Sequence, residues 1–158
     1  MRKRIFVLLC FLLALGLVVA CKGAAAETTQ TTPATQLTVA NDVVHVNYFF
    51  ESDACFCLHL AGQWITDTVH NDYKAQLDSG KMTYNEWDTK DSANDVKKAE
   101  FNATNYGLYI TVVKGGQQNT SSVNSLWLYT DSSGKNEVLK TKFIGVLKTA
   151  LDKALAGA

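Results

Sequence analysis

The sequence predicts an α/β domain, with a central mixed sheet of about four strands flanked by helices. Runs of β-branched and aromatic residues alternate along the chain with segments whose apolar residues recur at helical spacing. The order strand, helix, strand makes the first two strands parallel neighbours, because a crossover connection is needed to join them. A glycine pair between two later strand-like runs predicts a hairpin, which makes the sheet mixed.

The N-terminal residues 1–20 have the composition of a secretory signal and are excluded from the fold. A short basic segment, Arg2–Arg4, precedes an apolar run from Ile5 to Ala20 that ends in small residues. The run stops at "LVVAC", which resembles the lipobox of bacterial lipoproteins. The resemblance implies cleavage before Cys21, a diacylglycerol on its thiol, and a location on the cell membrane or outer membrane, facing outside the cytoplasm. An ordinary signal peptide or a single membrane span is the alternative.

Residues 21–36 are predicted to be a flexible tether, and residues 37–158 a single domain. The tether is small, polar and threonine-rich, contains the chain's only proline, and offers too little apolar area to offset the entropy of ordering it. Charge is balanced at 15 basic and 15 acidic residues, without a lysine or arginine run after the signal. We therefore expect no nucleic-acid partner. We also predict a monomer without a cofactor.

The first strand and the first helix are the strongest predicted elements. Residues Val43–Phe50, "VVHVNYFF", are too continuously apolar for a strand with one wet face, which predicts a central strand covered on both sides. From Cys57 to Leu77 the apolar residues form one helical stripe that ends at Ser79 and Gly80. This pattern predicts one long helix.

The remaining elements follow in order along the chain. Lys81–Asp88 is predicted to be the second strand, and Ser92–Phe101 a short polar helix with Ser92 as its cap. Leu108–Val113 is a strong strand, and the turn at Gly115 and Gly116 leads to a polar edge strand near Gln117–Ser121. The segment of Val123, Leu126 and Trp127 fits a helical turn or a strand, and Asn136–Leu155 is an amphipathic helix.

Two cysteines, Cys55 and Cys57, lie between the end of the predicted first strand and the start of the predicted first helix. A cysteine at a helix N-terminus faces unpaired backbone N–H groups and the positive end of the helix dipole, which stabilise the thiolate. This favours Cys55 as the nucleophile. Glu51 and Asp53 oppose the effect, because nearby carboxylates raise a thiol pKa, although Ser52 or Asp53 can instead cap the helix. The sequence therefore leaves open whether the thiolate or the thiol of Cys55 is favoured overall.

A bond between the two cysteines imposes a condition on the backbone. Side chains two residues apart in a helix point to nearly opposite sides, so Cys55 and Cys57 can be joined only if Cys55 has non-helical geometry in the loop or first turn. The ring closed by such a bond is small and strained. Strain raises the reduction potential, which suits an exchange catalyst better than a structural crosslink.

The element order and the position of the cysteines resemble the thioredoxin fold. The likeness is to small exported or membrane-tethered thioredoxin-like proteins, in which "YFF" is followed by a dithiol motif and a long helix, and it covers roughly Val43 to Leu155. It implies thiol–disulfide exchange with protein thiols or disulfides and an unidentified redox partner. By position, Cys55 corresponds to the exposed nucleophile and Cys57 to the resolving cysteine. The chain departs from the family in its shorter Cys-Phe-Cys spacing and in the loop "TNYGLY", which lacks the usual cis-proline.

Two other interpretations of "CFCLH" stay open. Cys55, Cys57 and His59 alternate like ligands in an extended segment, and thiolates with an imidazole suit copper or zinc. The domain can alternatively be a binding module that keeps the fold without catalysis. We expect His45 and His70 to be structural or surface residues. Trp87 is the tryptophan placed to line a cleft, and the loop of Tyr106 and Gly107 is expected to face the dithiol.

Overall fold

The computed structural model describes residues 42–131, 133 and 135–158. The predicted signal peptide, the tether, Cys21 and the first residues of the predicted domain lie outside these residues. The strands are β1 (Val43–Phe50), β2 (Met82–Asp88), β3 (Gly107–Lys114) and β4 (Gln117–Ser122). The helices are α1 (Phe56–Asp72), α2 (Lys74–Asp78), α3 (Asp95–Glu100) and α4 (Glu137–Gly157), with 3₁₀ turns at Ser92–Asn94 and Asn124–Tyr129.

The four strands form one mixed sheet in the order β2-β1-β3-β4, which confirms the predicted α/β class. β1 pairs in parallel with β2, with Phe50 opposite Asp88 at the carboxyl end of both strands. β3 runs antiparallel to β1 and places Gly107 opposite Phe49. The turn at Gly115 and Gly116, where both φ angles are positive, joins β3 to the exposed edge strand β4. Left-handed backbone of this kind favours glycine and matches the twist of a hairpin.

The hydrophobic core lies between one face of the sheet and the helices α1 and α4. Alternate residues of β1, namely Val44, Val46 and Tyr48, join Trp64 and Ile65 of α1 in this core. α4 contributes Phe143, Leu147 and Leu151, all fully buried, along the predicted apolar stripe. The 3₁₀ turn Asn124–Tyr129 adds Leu126, so this segment is helical rather than a strand.

The opposite face of the sheet is only partly covered: the prediction that β1 is covered on both sides is confirmed at Asn47 and Phe49 but wrong at Val43 and His45, which are half-buried. Phe49 is buried there, because it packs against Phe101 at the end of α3 and against Tyr109. His45 and Asn47 point to the same face farther from α3 and line an open groove. The β-branched run in the sequence therefore reflects one apolar face and one mixed face.

The predicted helix Cys57–Leu77 is divided in two at Tyr73. The backbone of Tyr73 leaves helical geometry, with φ −117° and ψ 19°. Its ring is buried at 3% exposure, and its hydroxyl donates to Asp152 Oδ1 of α4 at 2.7 Å. The apolar stripe continues across this break, so the pattern of buried residues does not reveal it.

The prediction that Ser92 caps the short helix is also wrong. The Asp91 side chain accepts a hydrogen bond from Ala93 N at 2.9 Å and caps the 3₁₀ turn that begins at Ser92. Asn136 caps α4 through its side chain, which accepts from Val138 N and Leu139 N. Among the residues that the structure describes, no helix is both long and apolar enough to cross a bilayer.

Candidate functional site

Cys55 is the N-cap of α1 and has extended backbone geometry, with φ −65° and ψ 157°. Its carbonyl oxygen accepts the first helical hydrogen bonds, from Leu58 N at 3.0 Å and His59 N at 3.2 Å. The non-helical backbone brings its side chain to Cys57, the two residues are joined as a disulfide, and their Cα atoms are 5.5 Å apart. The condition derived from the sequence for a bond between them is therefore confirmed.

The two cysteines differ in their access to solvent. Cys55 is exposed, whereas Cys57, inside the first turn of α1, is half-buried. Phe56 between them is 65% exposed and leaves an apolar ring at the surface. A thiol of another protein can therefore approach Cys55 more easily than Cys57.

Neither Ser52 nor Asp53 caps α1, because the N-cap residue is Cys55, whose side chain accepts no hydrogen bond from the N–H groups of the first turn. The loop 51–55 is instead held to the end of β2. The Ser52 N–H donates to Asp88 Oδ1 at 3.3 Å, and the Lys90 N–H donates to the same oxygen at 2.9 Å. These hydrogen bonds, the one from Lys90 above all, hold the pKa of Asp88 below its ordinary value.

Lys90 balances the charge of the carboxylates that precede the dithiol. Its Nζ lies 3.4 Å from Glu51 Oε1 and 3.6 Å from Asp53 Oδ2. Glu51, and after it Asp53, raise the pKa of the Lys90 ammonium, so this cation stays charged. The carboxylates that the sequence suggested would oppose a Cys55 thiolate are thus paired with a cation.

Thr89 joins three loops at the same edge of the sheet. Its backbone N–H donates to Phe50 O at 2.7 Å, and its hydroxyl lies 3.0 Å from Phe50 O and 3.3 Å from Asn105 O. Thr89 is 7% exposed, so these contacts are shielded from water. The loop before β3, which contains Tyr106, therefore lies at the carboxyl end of β1, where the loop to the dithiol also begins.

A cleft of about 300 Å³ lies beside the first turns of α1, and His59 lines it together with Tyr48, Phe50 and Glu86. On its far side, the Thr66 hydroxyl lies 2.6 Å from Glu86 Oε1, and the Tyr84 hydroxyl donates to the same oxygen at 2.9 Å. The cleft thus combines aromatic surface with a carboxylate. Neither Cys55 nor Cys57 lines the cleft, and His59 in the first turns of α1 is its lining residue nearest to them in sequence.

The histidines do not gather around the cysteines. His59 is exposed, His45 is on the other face of the sheet with Nδ1 2.7 Å from Thr83 Oγ1, and His70 packs edge-on against Tyr84. Among the described residues, no group of three histidine, cysteine or acidic side chains is arranged to hold a metal ion. In the disulfide form the cysteines are not thiolate ligands, so the metal alternative requires the reduced protein.

Sequence reasoning missed Lys90, Thr89 and the carboxylate of Glu86. Lys90 follows directly after β2, and the carboxyl ends of neighbouring parallel strands meet at one edge of a sheet. The position of Lys90 directly after β2 was therefore the sequence feature from which its place near the dithiol could have been predicted. Trp87, which the sequence placed in a cleft, lines the groove on the open face of the sheet and not the dithiol.

No protein-family model, curated protein or solved structure matches this chain.

Proposed function

We propose that this protein is a thiol–disulfide exchange protein that acts through Cys55 and Cys57. The observation that carries the proposal is the disulfide at the N-terminus of α1, whose first cysteine is exposed. A structural crosslink between residues this close in sequence would close a very short loop and would constrain the unfolded chain little. The exposed position suits chemistry better than stabilisation.

A thioredoxin-like architecture is part of the same proposal. The sheet order β2-β1-β3-β4, the parallel pairing of β1 with β2, and a helix that starts at the dithiol after the first strand are compatible with that architecture. The loop before β3 lies at the same sheet edge, without a proline. In this protein, recognition of a partner would depend on the exposed Phe56 and the cleft beside α1.

The exchange can run in either direction without any further reactant. In the reduced protein, the Cys55 thiolate attacks one sulfur of a partner disulfide, forms a mixed disulfide and releases the other partner sulfur as a thiolate. The Cys57 thiolate then attacks Cys55 Sγ, and the second partner sulfur leaves. The partner gains two electrons and the protein becomes the disulfide. In the reverse direction a partner thiolate attacks Cys55 Sγ of the disulfide form and Cys57 leaves as a thiolate; a second partner thiolate then attacks the partner sulfur of the mixed disulfide and releases the Cys55 thiolate.

Local electrostatics support Cys55 as the attacking group. The N–H groups of the first turn of a helix have no intrahelical acceptor, and they point toward the N-cap side chain. Together with the helix dipole they favour a thiolate on Cys55. α1 has no acidic residue in its first turn, and Lys90 pairs with the carboxylates of the preceding loop.

Loss of the individual thiols tests the proposal. Reduced wild-type protein should reduce insulin disulfides, Cys55→Ser should abolish this activity, and Cys57→Ser should accumulate a mixed disulfide through Cys55. His59→Ala should leave the rate nearly unchanged. A Cys55–Cys57 pair that cannot be reversibly oxidised within one molecule would refute the proposal. Binding of zinc or copper(I) by the reduced wild-type protein, and its loss in His59→Ala, would instead favour a metal site of Cys55, Cys57 and His59.

The proposed location is the outer face of a membrane, through lipid on Cys21. The support is the "LVVAC" junction after a basic and apolar N-terminal segment. Disulfide chemistry is available outside the cytoplasm, which agrees with the proposed reaction. In a bacterial host, Cys21→Ser should abolish labelling by a radioactive fatty acid and leave unprocessed precursor. Normal processing and membrane retention of Cys21→Ser would remove the lipid anchor from the proposal.

A further inference from the structure

The open face of the sheet carries a groove that is separate from the dithiol. It has a volume of about 680 Å³, and its lining comes from the four strands and from Lys97, Glu100 and Phe101 at the end of α3. This volume lies within the roughly 300–1,000 Å³ of small-molecule sites. None of its lining residues belongs to the loop 51–55 or to α1.

The floor of the groove is built of hydrogen-bonding side chains in cross-strand rows, chiefly amides and hydroxyls. Asn47 of β1 lies between Asn85 of β2 and Tyr109 of β3, and Ser122 of β4 is opposite Tyr109. The next row contains Thr83, His45, Thr111 and Thr120, in which the two threonine hydroxyls of β3 and β4 are 2.8 Å apart. A sheet face that is packed under a helix normally carries apolar side chains at such positions.

Asn47 is the strongest indication of a ligand. It is only 6% exposed, and its Oδ1 accepts a hydrogen bond from Trp87 Nε1 at 3.0 Å. Its amide nitrogen is not sealed from solvent, since among the described residues Gln76 Oε1 is the only enclosed side-chain nitrogen or oxygen atom without a partner. This oriented donor in the floor of the groove is therefore available to a ligand oxygen.

The charge and the walls of the groove restrict the chemistry of that ligand. Lys97 Nζ and Glu100 Oε2 are 2.8 Å apart and neutralise each other, and they are the only lysine, arginine or acidic residues among the lining side chains. Trp87, Tyr109 and Phe101 contribute aromatic surface next to the amides and hydroxyls. An uncharged ligand with many hydroxyl groups and C–H faces that stack on aromatic rings matches this combination.

We propose that this groove binds a short neutral oligosaccharide. The amides of Asn47 and Asn85 and the hydroxyls of Thr120 and Ser122 exchange hydrogen bonds with sugar hydroxyls. Trp87 provides the surface on which a sugar ring rests. The inference does not depend on the proposed thiol exchange, because it uses a different face of the sheet.

The test uses soluble protein comprising residues 22–158 and three neutral probes: chitotriose, cellotriose and maltotriose. Binding is measured by calorimetry and by NMR, in which the side-chain NH₂ signals of Asn47, Asn85 and Gln118 report on the groove. We expect at least one probe to bind saturably and to shift the Asn47 and Asn85 signals. Asn85→Ala should weaken this binding by about tenfold, as expected for a lost hydrogen bond.

Asn119→Ala is the matched control, because Asn119 is also an exposed asparagine but lies on the other face of β4. It should leave the affinity unchanged. Absence of binding by all three probes at their solubility limits would overturn the proposal. Equal weakening by both variants, or NMR shifts confined to the α1 and α4 side, would overturn it as well. Disulfide exchange measured on Asn85→Ala should equal that of the wild type, which keeps the two proposals distinguishable.

Discussion

Lys90 lies within ion-pair distance of Glu51 and Asp53, the carboxylates of the loop that leads into the dithiol. The ion pairs are partly exposed, since the Lys90 side chain is 50% exposed and that of Asp53 70%. Their contribution to stability is therefore small. Their contribution to the charge near Cys55 is of more consequence, because a thiolate responds to every nearby charge.

Replacement of Lys90 with Gln should slow the reaction of the Cys55 thiol at neutral pH. The variant leaves Glu51 and Asp53 without their cation, and unpaired carboxylates disfavour a thiolate. The rate of alkylation of reduced protein by iodoacetamide, followed across pH, would measure the effect. Lys74→Gln is the control, because it breaks the exposed Lys74–Asp78 pair on α2. A wild-type alkylation profile in Lys90→Gln would show that Lys90 does not act on the thiol.

The position of the cysteine pair was predictable from the sequence, whereas Lys90 was not. An apolar strand followed by "CFC" and a helical stripe is enough to place Cys55 at a helix N-terminus. The contact between Lys90 and Glu51 depends on how two loops separated by α1, α2 and β2 lie together. Residue spacing does not contain that information, although the rule for parallel strands identifies the sheet edge.

The sequence predicted an element best where one regular pattern of buried or exposed side chains runs through the whole element. α4 follows its apolar stripe closely, and β4 is exposed throughout, as expected for a polar edge strand. The burial of β1 was harder to predict, because Phe49 is buried on the same face where His45 and Asn47 border a groove. How far α3 covers that face depends on tertiary packing. The break at Tyr73 has the same origin, since its hydroxyl reaches Asp152 of another helix.

α1 approaches β1 so closely at Gly62 that any larger residue would have to displace the Tyr48 side chain. A Cβ at this position would lie 2.7 Å from the Tyr48 hydroxyl oxygen and 3.0 Å from Tyr48 Cε1. The Tyr48 ring is 5% exposed, and it stacks against Phe50 and Trp127, so moving it aside toward the cleft disturbs these ring contacts. Gly62→Ala should destabilise the domain by about 1–3 kcal/mol, in the range of overpacking effects.

Gly145→Ala provides the matched control in the other long helix. A Cβ there would meet nothing within 4 Å. Alanine should therefore stabilise α4 by roughly 0.5–1 kcal/mol through its better helix propensity. Urea unfolding of both variants measures the two changes. Equal stabilisation by the two alanines would mean that α1 does not pack on Tyr48 as described.

Across the whole molecule, the sheet separates two surfaces with different chemistry. The carboxyl edge of β1 and β2 carries the dithiol and the charged loops around it. The face opposite α1 and α4 carries neutral amides, hydroxyls and aromatic rings. The short α3 leaves this second face open, because only its end packs against Phe49 and Tyr109. The proposed exchange and the proposed saccharide binding can therefore be disrupted separately.

The core between the sheet and the helices also contains phenol groups that resist ionisation. Burial, followed by the charge of Glu86, raises the pKa of Tyr48 far above its ordinary value. Burial also raises the pKa of Tyr73 and Tyr84, and the hydrogen bond to Asp152 adds to the effect at Tyr73. In the unfolded chain these phenols titrate near pH 10. Their folded-state pKa values are higher, so the stability they contribute is complete below about pH 10 and is lost as the pH rises above it.

We expect the free energy of unfolding to fall steeply above about pH 10, by up to about 1.4 kcal/mol per pH unit for each buried tyrosine. The unfolded state binds fewer protons than the folded state in this range, which gives the slope its negative sign. Tyr48→Phe removes one of these phenols and keeps the ring that stacks against Phe50 and Trp127. This variant should unfold in urea much like the wild type at neutral pH and lose stability less steeply above pH 10. Tyrosinate absorbance should rise together with unfolding. Ionisation of all six tyrosines in protein that stays folded would contradict the burial of these phenols.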